Sequence, residues 1–152
     1  KHRTFAFGAT QIGPLILAIA QDTPTNASLR NDPSLPERRR AWLHRHDQQC
    51  GKIYGILPLA VNLPVVLLDH LDRSPKRRLL RGTFATVHSW VLATAEKSVP
   101  PRPGQPRILS HLPAVVFLKF AGAPWRLPGF TEDAVYPVAP QSKIWHLDHM
   151  AH

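Results

Sequence analysis

A single cysteine, Cys50, is present in 152 residues. One thiol excludes an internal disulfide framework and a cysteine-rich zinc site, and it fits a reducing compartment. Acidic residues are scarce as well: 10 Asp and Glu stand against 19 Lys and Arg, a formal charge of +9 with histidine neutral. That balance favours polyanions as partners, because neutralising phosphates releases counterions. There is also no long apolar run. The nearest, 12–20, follows Lys1-His2-Arg3 and ends in Ala18-Ile19-Ala20, a pattern that superficially resembles a secretory signal. Gly13-Pro14 interrupts it, and it falls far short of the roughly 20 residues a bilayer span needs. We expect a buried strand over 15–20 instead, with Lys1 inside a longer reading frame.

Several catalytic signatures are missing too. The sequence has no phosphate loop of the G-x-x-x-x-G-K-[ST] type and no G-x-S-x-G, H-E-x-x-H or C-x-x-C motif. With neither a nucleotide cradle nor an activated nucleophile, no catalytic residue is assigned, and the segment by itself is expected to be inactive.

Proline, by contrast, is abundant. Sixteen of them forbid long helices over most of the chain and call for short strands joined by stiff loops. Thr-Pro, Asn and Asp-Pro signals mark 22–33 as loop. One helix is expected over 34–51, with Ser34 as N-cap, Glu37 as its capping-box partner, Pro36 in the first turn and Gly51 at C′. Leu35, Trp42, Leu43, His46 and Cys50 share one face of it, while Arg38, Arg40, Arg45 and Gln48 fall away.

Beyond Tyr54 the pattern changes to short apolar runs and period two. Strands are expected over 63–68, 83–92 and 114–120, with shorter ones over 135–138 and 143–147. On 83–92 the alternation places Phe84, Thr86, His88 and Trp90 on one face and Ala85, Val87, Ser89 and Val91 on the other. The proline-rich stretch 95–106 reads as an exposed connector. The expected fold is mainly β, a small SH3-like barrel of about five short strands preceded by a helical stem.

Two basic clusters are the candidates for binding. Arg38-Arg39-Arg40 and Arg45 line the outer side of the helix, and Arg73, Lys76, Arg77, Arg78 and Arg81 form an arm between two strands. A charge run is usually a solvated face, but two clusters flanking a barrel point to nucleic acid. Lys119 and Arg126 are secondary contacts. Trp125 lies in a loop, suited either to stacking on a base or to closing the open end of the barrel; the second is preferred because buried tryptophan dominates small cores. Trp42, Trp90 and Trp145 are assigned to the core, and His88 to a packed or surface position. His44 and His46 diverge on the helix, so they share no ion. His146, His149 and His152 have a spacing that could align imidazoles, with Asp148 beside them, but a polar chain end is the plainer reading and no metal site is assigned.

The order of motifs carries a resemblance. Trp42-Leu43-His44-Arg45-His46-Asp47, Cys50-Gly51, Tyr54-Gly55-Ile56-Leu57-Pro58-Leu59, Pro64-Val65, Asp69-His70-Leu71-Asp72-Arg73, Leu80-Arg81-Gly82 and Val87-His88-Ser89-Trp90-Val91 follow at familiar spacing. Leu112-Pro113-Ala114-Val115-Val116-Phe117-Leu118-Lys119-Phe120, Leu127-Pro128-Gly129 and Tyr136-Pro137-Val138 continue the order. From about Trp42 to Leu147 the chain resembles the C-terminal region of petite-integration-frequency-type, RecD-like superfamily 1 DNA helicases. In that family an SH3-like barrel is inserted in the second RecA-like motor domain.

The resemblance implies a division into 1–33 (end of a motor strand and linker), 34–51 (stem), 52–148 (barrel) and 149–152 (tail). It implies single-stranded or forked DNA and the rest of the motor as partners, no membrane, and an intracellular location, nuclear or mitochondrial in a eukaryote. ATP and Mg would belong to the intact parent, since the Walker lysine, the Mg-binding acidic motif and the arginine finger have no counterpart here. A stand-alone, non-enzymatic nucleic-acid-binding or adaptor barrel is the alternative. Two departures bear on the backbone: Asn62 and Ala85 stand where the family usually has glycine. Asparagine tolerates a left-handed turn, whereas alanine would be costly if its site needs a positive φ.

Overall fold

The computed structural model describes residues 15–45, 55–96 and 105–144. Among these residues seven short strands form two sheets. In the first, β1 (Ile16–Ile19) lies between β2 (Ile56–Leu59) and β5 (Arg107–Ile108). It pairs antiparallel with β2, Ile16 opposite Leu59, and parallel with β5, Ile16 opposite Arg107. The second sheet is antiparallel throughout, in the order β3 (Pro64–Val66), β4 (Phe84–Val91), β6 (Val115–Lys119), β7 (Val135–Val138). The fold is therefore mainly β. Among the described residues the sheets remain separate and no closed barrel forms.

One hydrophobic cluster joins the two sheets. Ile16, Ala18 and Leu59 come from the first, Ala85, Val87 and Leu118 from the second, and Leu63, Leu67, Leu79, Phe120 and Trp125 from the connecting segments. Val87 is the most enclosed of the large side chains at 1% exposure.

Strand β4 departs from strict alternation. Ala85 and Val87 point into the core as one face requires, but the register with β6 shifts between Val87 and Ser89. A bulge puts two residues opposite one, so every later side chain changes face. Trp90 and Leu92 accordingly pack against the core, and Val91 is exposed. The expected face of Phe84, Thr86, His88 and Trp90 is thus split at the bulge.

The helical region differs from expectation in three ways. A four-residue helix, α1 (Ala27–Arg30), lies within the segment read as loop, its end capped by the Asn26 side chain accepting from Ser28 N at 2.9 Å. Arg30 ties this turn down by donating to the Pro24 and Thr25 carbonyls. The longer helix, α2 (Leu35–Leu43), is shorter than 34–51. Ser34 makes no side-chain cap; instead the Asp32 carboxylate accepts from both Ser34 N and Ser34 Oγ, at 2.8 and 2.7 Å. Those bonds, with Arg38 at 3.5 Å, hold Asp32 below the usual carboxylate range. At the other end His44 N and Arg45 N turn back to the Ala41 and Trp42 carbonyls, closing the last turn tightly. Leu35 and Trp42 are buried as the helical spacing requires. His46, Gln48, Cys50 and Gly51 lie outside the described residues.

Two further expectations are amended. A two-residue strand not expected from the sequence, β5, follows directly after the stretch read as a connector, and Glu96 within that stretch is turned inward. Its side chain, 4% exposed, accepts from Ser110 N and His111 N and faces Arg107 at 3.7 Å. Burial pushes its carboxyl upward, yet these donors hold it below the ordinary value. Lys143 and Ile144 form no strand; the rest of 143–147, with Trp145, lies outside the described residues.

Asn62 adopts φ 64°, in the left-handed region, and its N–H donates to Val87 O at 2.7 Å. Here asparagine performs the turn that glycine would. Ala85 sits in ordinary strand geometry opposite Val65, without a positive φ, so its methyl group carries no strain penalty.

Candidate nucleic-acid interface

The basic arm is an ordered loop between β3 and β4. Leu79 and Asp72 close its neck through an antiparallel bridge, with Leu79 N donating to Asp72 O at 2.7 Å and Leu71 N to Leu79 O at 2.9 Å. Leu67 and Leu79 anchor that neck in the core at 7% and 2% exposure. At the tip, Arg77 N and Arg78 N both donate to Ser74 O, and Arg78 takes φ 50° to make the turn. The second half returns to β4 through Gly82 N donating to Leu67 O, while Arg81 N donates to His70 Nδ1.

The five arm cations divide by role. Arg77 donates through Nε to Asp72 Oδ2, and its side chain is only 26% exposed, so it serves the loop. Arg73, Lys76, Arg78 and Arg81 are exposed. Lys76, Arg78 and Arg81 have no acidic partner among the described residues, and Arg73 senses only the charge of Asp69, which Lys143 approaches at 3.9 Å. Four cations on a loop with a fixed neck form a positively charged surface that could meet a polyanion without rearranging the neck.

Asp72 holds the arm's geometry. Arg77, then Ser74, hold its carboxyl down to about 2 against an ordinary 3.8. A carboxyl with a depressed folded value contributes stability that is complete above its unfolded value and is lost as pH falls through the folded one. Wild type minus Asp72→Asn should therefore show a difference in urea midpoint that is constant above about pH 4 and shrinks toward pH 2. A difference that is flat over that window would show that the Arg77 contact does not organise the loop.

The remaining sequence candidates are placed otherwise. Lys119 Nζ lies 3.2 Å from Glu132 and Arg126 Nε 2.8 Å from Asp133, so each is already neutralised by an acidic neighbour. Trp125 is 4% exposed, between Phe120 and Tyr136, with ring centroids 6.0 and 6.4 Å away. It belongs to the core and has no face left for a base.

His88 is a surface residue at the bulge. Its Nε2 lies 3.0 Å from Glu132 and its Nδ1 2.9 Å from Ser89 Oγ. The order Ser89, His88, Glu132 is that of a nucleophile relay. However, Glu132 is 53% exposed and its charge is shared with Lys119, which together with His88 holds its carboxyl low. We read the set as a surface ion network binding β4 and β6 to the segment before β7.

Two features lay beyond sequence reasoning. A cleft of about 430 Å³ opens between the end of β1 and α2, with Arg39 and Arg40 at its lip. Phe84 is 77% exposed beside the arm. Alternation had placed it on a face without showing which face is wet.

Among the described residues no group of three or more His, Cys, Asp or Glu could hold a metal ion, and His146, Asp148, His149 and His152 lie outside them. Among the same residues no helix is long and apolar enough to cross a membrane. Compared with known proteins, the chain matches no family model, no curated protein and no solved structure.

Proposed function

We propose that this chain is the DNA-contacting module of an ATP-dependent, RecD-like helicase, its second sheet belonging to an SH3-like barrel beside the motor. The observation that supports the reading is the arm: a neck fixed by Leu67, Leu79 and the Asp72–Arg77 pair, projecting four cations without hydrogen-bonded acidic partners among the described residues. In the intact enzyme, ATP and Mg would be bound by the RecA-like motor, and the arm would hold the phosphates of one strand while the motor steps along it. Contacts of this kind are made to phosphate, so binding is independent of sequence and weakens steeply with salt. A stand-alone adaptor would use the same arm. The two readings separate on the parent coding sequence, where a phosphate-binding loop upstream marks the helicase.

The test is a salt titration of oligo-dT binding by the wild-type chain and by the quadruple variant Arg73→Gln, Lys76→Gln, Arg78→Gln and Arg81→Gln. At roughly 0.7 per neutralised phosphate contact on a single strand, the slope of log K against log salt should fall by about 3. Arg77 is left in place so that the loop stays folded. An unchanged slope would remove the arm from the interface.

A further inference from the structure

We propose that Phe84 is a stacking platform for one unpaired base of a single-stranded nucleic acid whose phosphates lie along the arm. This rests on the reading of the arm given above and assigns the base contact that the reading lacked once Trp125 proved to be buried.

The placement follows from the strand register. Phe84 pairs with Val66 at the end of the β3–β4 ladder. Leu67 and Ala85 are buried, so the alternation turns Val66, Leu68 and Phe84 outward together, at 44%, 57% and 77% exposure. An aromatic ring left this open at a strand end is costly in water unless something covers it. The ring follows Arg81 by three residues, across the turn in which Gly82 N donates to Leu67 O. Lys119, opposite Thr86, lies on the same sheet face one pair further along.

The charge around this apolar spot selects the occupant. Of the two acids in the loop, Asp72 is taken up by Arg77, and Asp69 is offset by Lys143 and Arg73. A protein partner with an ordinary apolar patch gains nothing from four adjacent cations. A single strand offers both complements at once, a phosphate for each cation and an unpaired π face for the ring. Stacking is tolerant of base identity, which agrees with a contact that tracks a strand without reading it. The ring needs no donor or acceptor, and its flat face can be reached from solvent.

The experiment compares wild type, Phe84→Ala and Phe84→Trp by anisotropy, using labelled oligo-dT and an abasic strand of the same length, each at several salt concentrations. Wild type should prefer oligo-dT over the abasic strand by about tenfold. Phe84→Ala should lose that preference, binding both strands at the abasic level with an unchanged salt slope, since no phosphate contact is removed. Phe84→Trp should keep it. Phe84 is mostly exposed, so folding of both variants is checked simply by circular dichroism.

If Phe84→Ala binds oligo-dT as wild type does, the platform is overturned while the arm stands. If wild type binds neither strand, the reading of the arm falls with it. If Phe84→Ala instead abolishes self-association in sedimentation with DNA affinity unchanged, the ring covers a second copy of the chain and the proposal is wrong.

Discussion

Trp125→Ala is expected to remove a large share of the molecule's stability while leaving the cations of the arm chemically intact. The indole is almost fully enclosed, meeting Phe120 at 6.0 Å and Tyr136 edge-on at 6.4 Å. Its backbone carbonyl also accepts from Ala134 N at 2.7 Å, and Ala134 O in turn accepts from Phe120 N at 2.9 Å. The ring therefore fills the space behind a tight crossing of three segments, and Ala134 holds φ 58° to make that crossing. Truncating a buried tryptophan costs about 3–5 kcal/mol. Domains of this size are stable by only about 5–15 kcal/mol, so the loss is a large fraction of the total and should move the unfolding midpoint well below that of wild type. The measurement is the urea midpoint, with the m-value checked for two-state behaviour. Trp125→Phe, which keeps an aromatic ring, should lose much less. A Trp125→Ala protein that unfolds at the wild-type midpoint but binds DNA poorly would return the residue to the surface role rejected above.

Among the described glycines, Gly55 is the one where replacing a single hydrogen by a methyl group, Gly55→Ala, meets backbone at once and should be strongly destabilising. A Cβ at this position would stand 2.7 Å from Leu43 Cα and 2.8 Å from Leu43 O. Both are backbone atoms at the end of α2, and no side-chain rotation can relieve the contact. Either the helix end or the start of β2 must move, and Gly55 O is already fixed by Ala20 N at 2.9 Å. Overpacking of this kind costs about 1–3 kcal/mol, toward the upper end where backbone meets backbone. The expected readouts are a lowered urea midpoint and faster hydrogen exchange at the Ala20 amide. Normal protection at Ala20 with a wild-type midpoint would mean that the helix end and β2 are not in contact.

The same close approach falls where the helix stops short of its sequence pattern. Ser34, Pro36 and Glu37 announce a helix, and Leu35 and Trp42 confirm its buried face. Nothing in the spacing of apolar residues marks Leu43 as the last turn. That end is associated with the chain returning to place Gly55 against it, a contact between residues distant in sequence. The N-terminus shows the same limit. The Ser34–Glu37 pattern promises a capping box, but Asp32, two residues upstream, is in place to accept both Ser34 donors.

Within the arm the sequence offers five equivalent cations. It is a hydrogen bond to Asp72 that removes Arg77 from the set, and ion pairs with Glu132 and Asp133 that occupy Lys119 and Arg126. Trp125 takes the buried place preferred for it. Phe84 lies on a strand face whose exposure alternation alone leaves open, and only the packing shows that this face is wet.

The sequence alone determined the mainly β character, the approximate strand positions, the buried face of the helix, the excess of positive charge and its concentration between two strands. These depend on neighbours within a few residues, where period and turn chemistry are decisive. Tertiary structure decided the rest: the parallel pairing of β1 with β5, the separation into two sheets, the bulge that turns Trp90 inward, and which cations remain available to a ligand. Each of these depends on a contact between segments far apart in the chain, and local periodicity contains no term for such contacts.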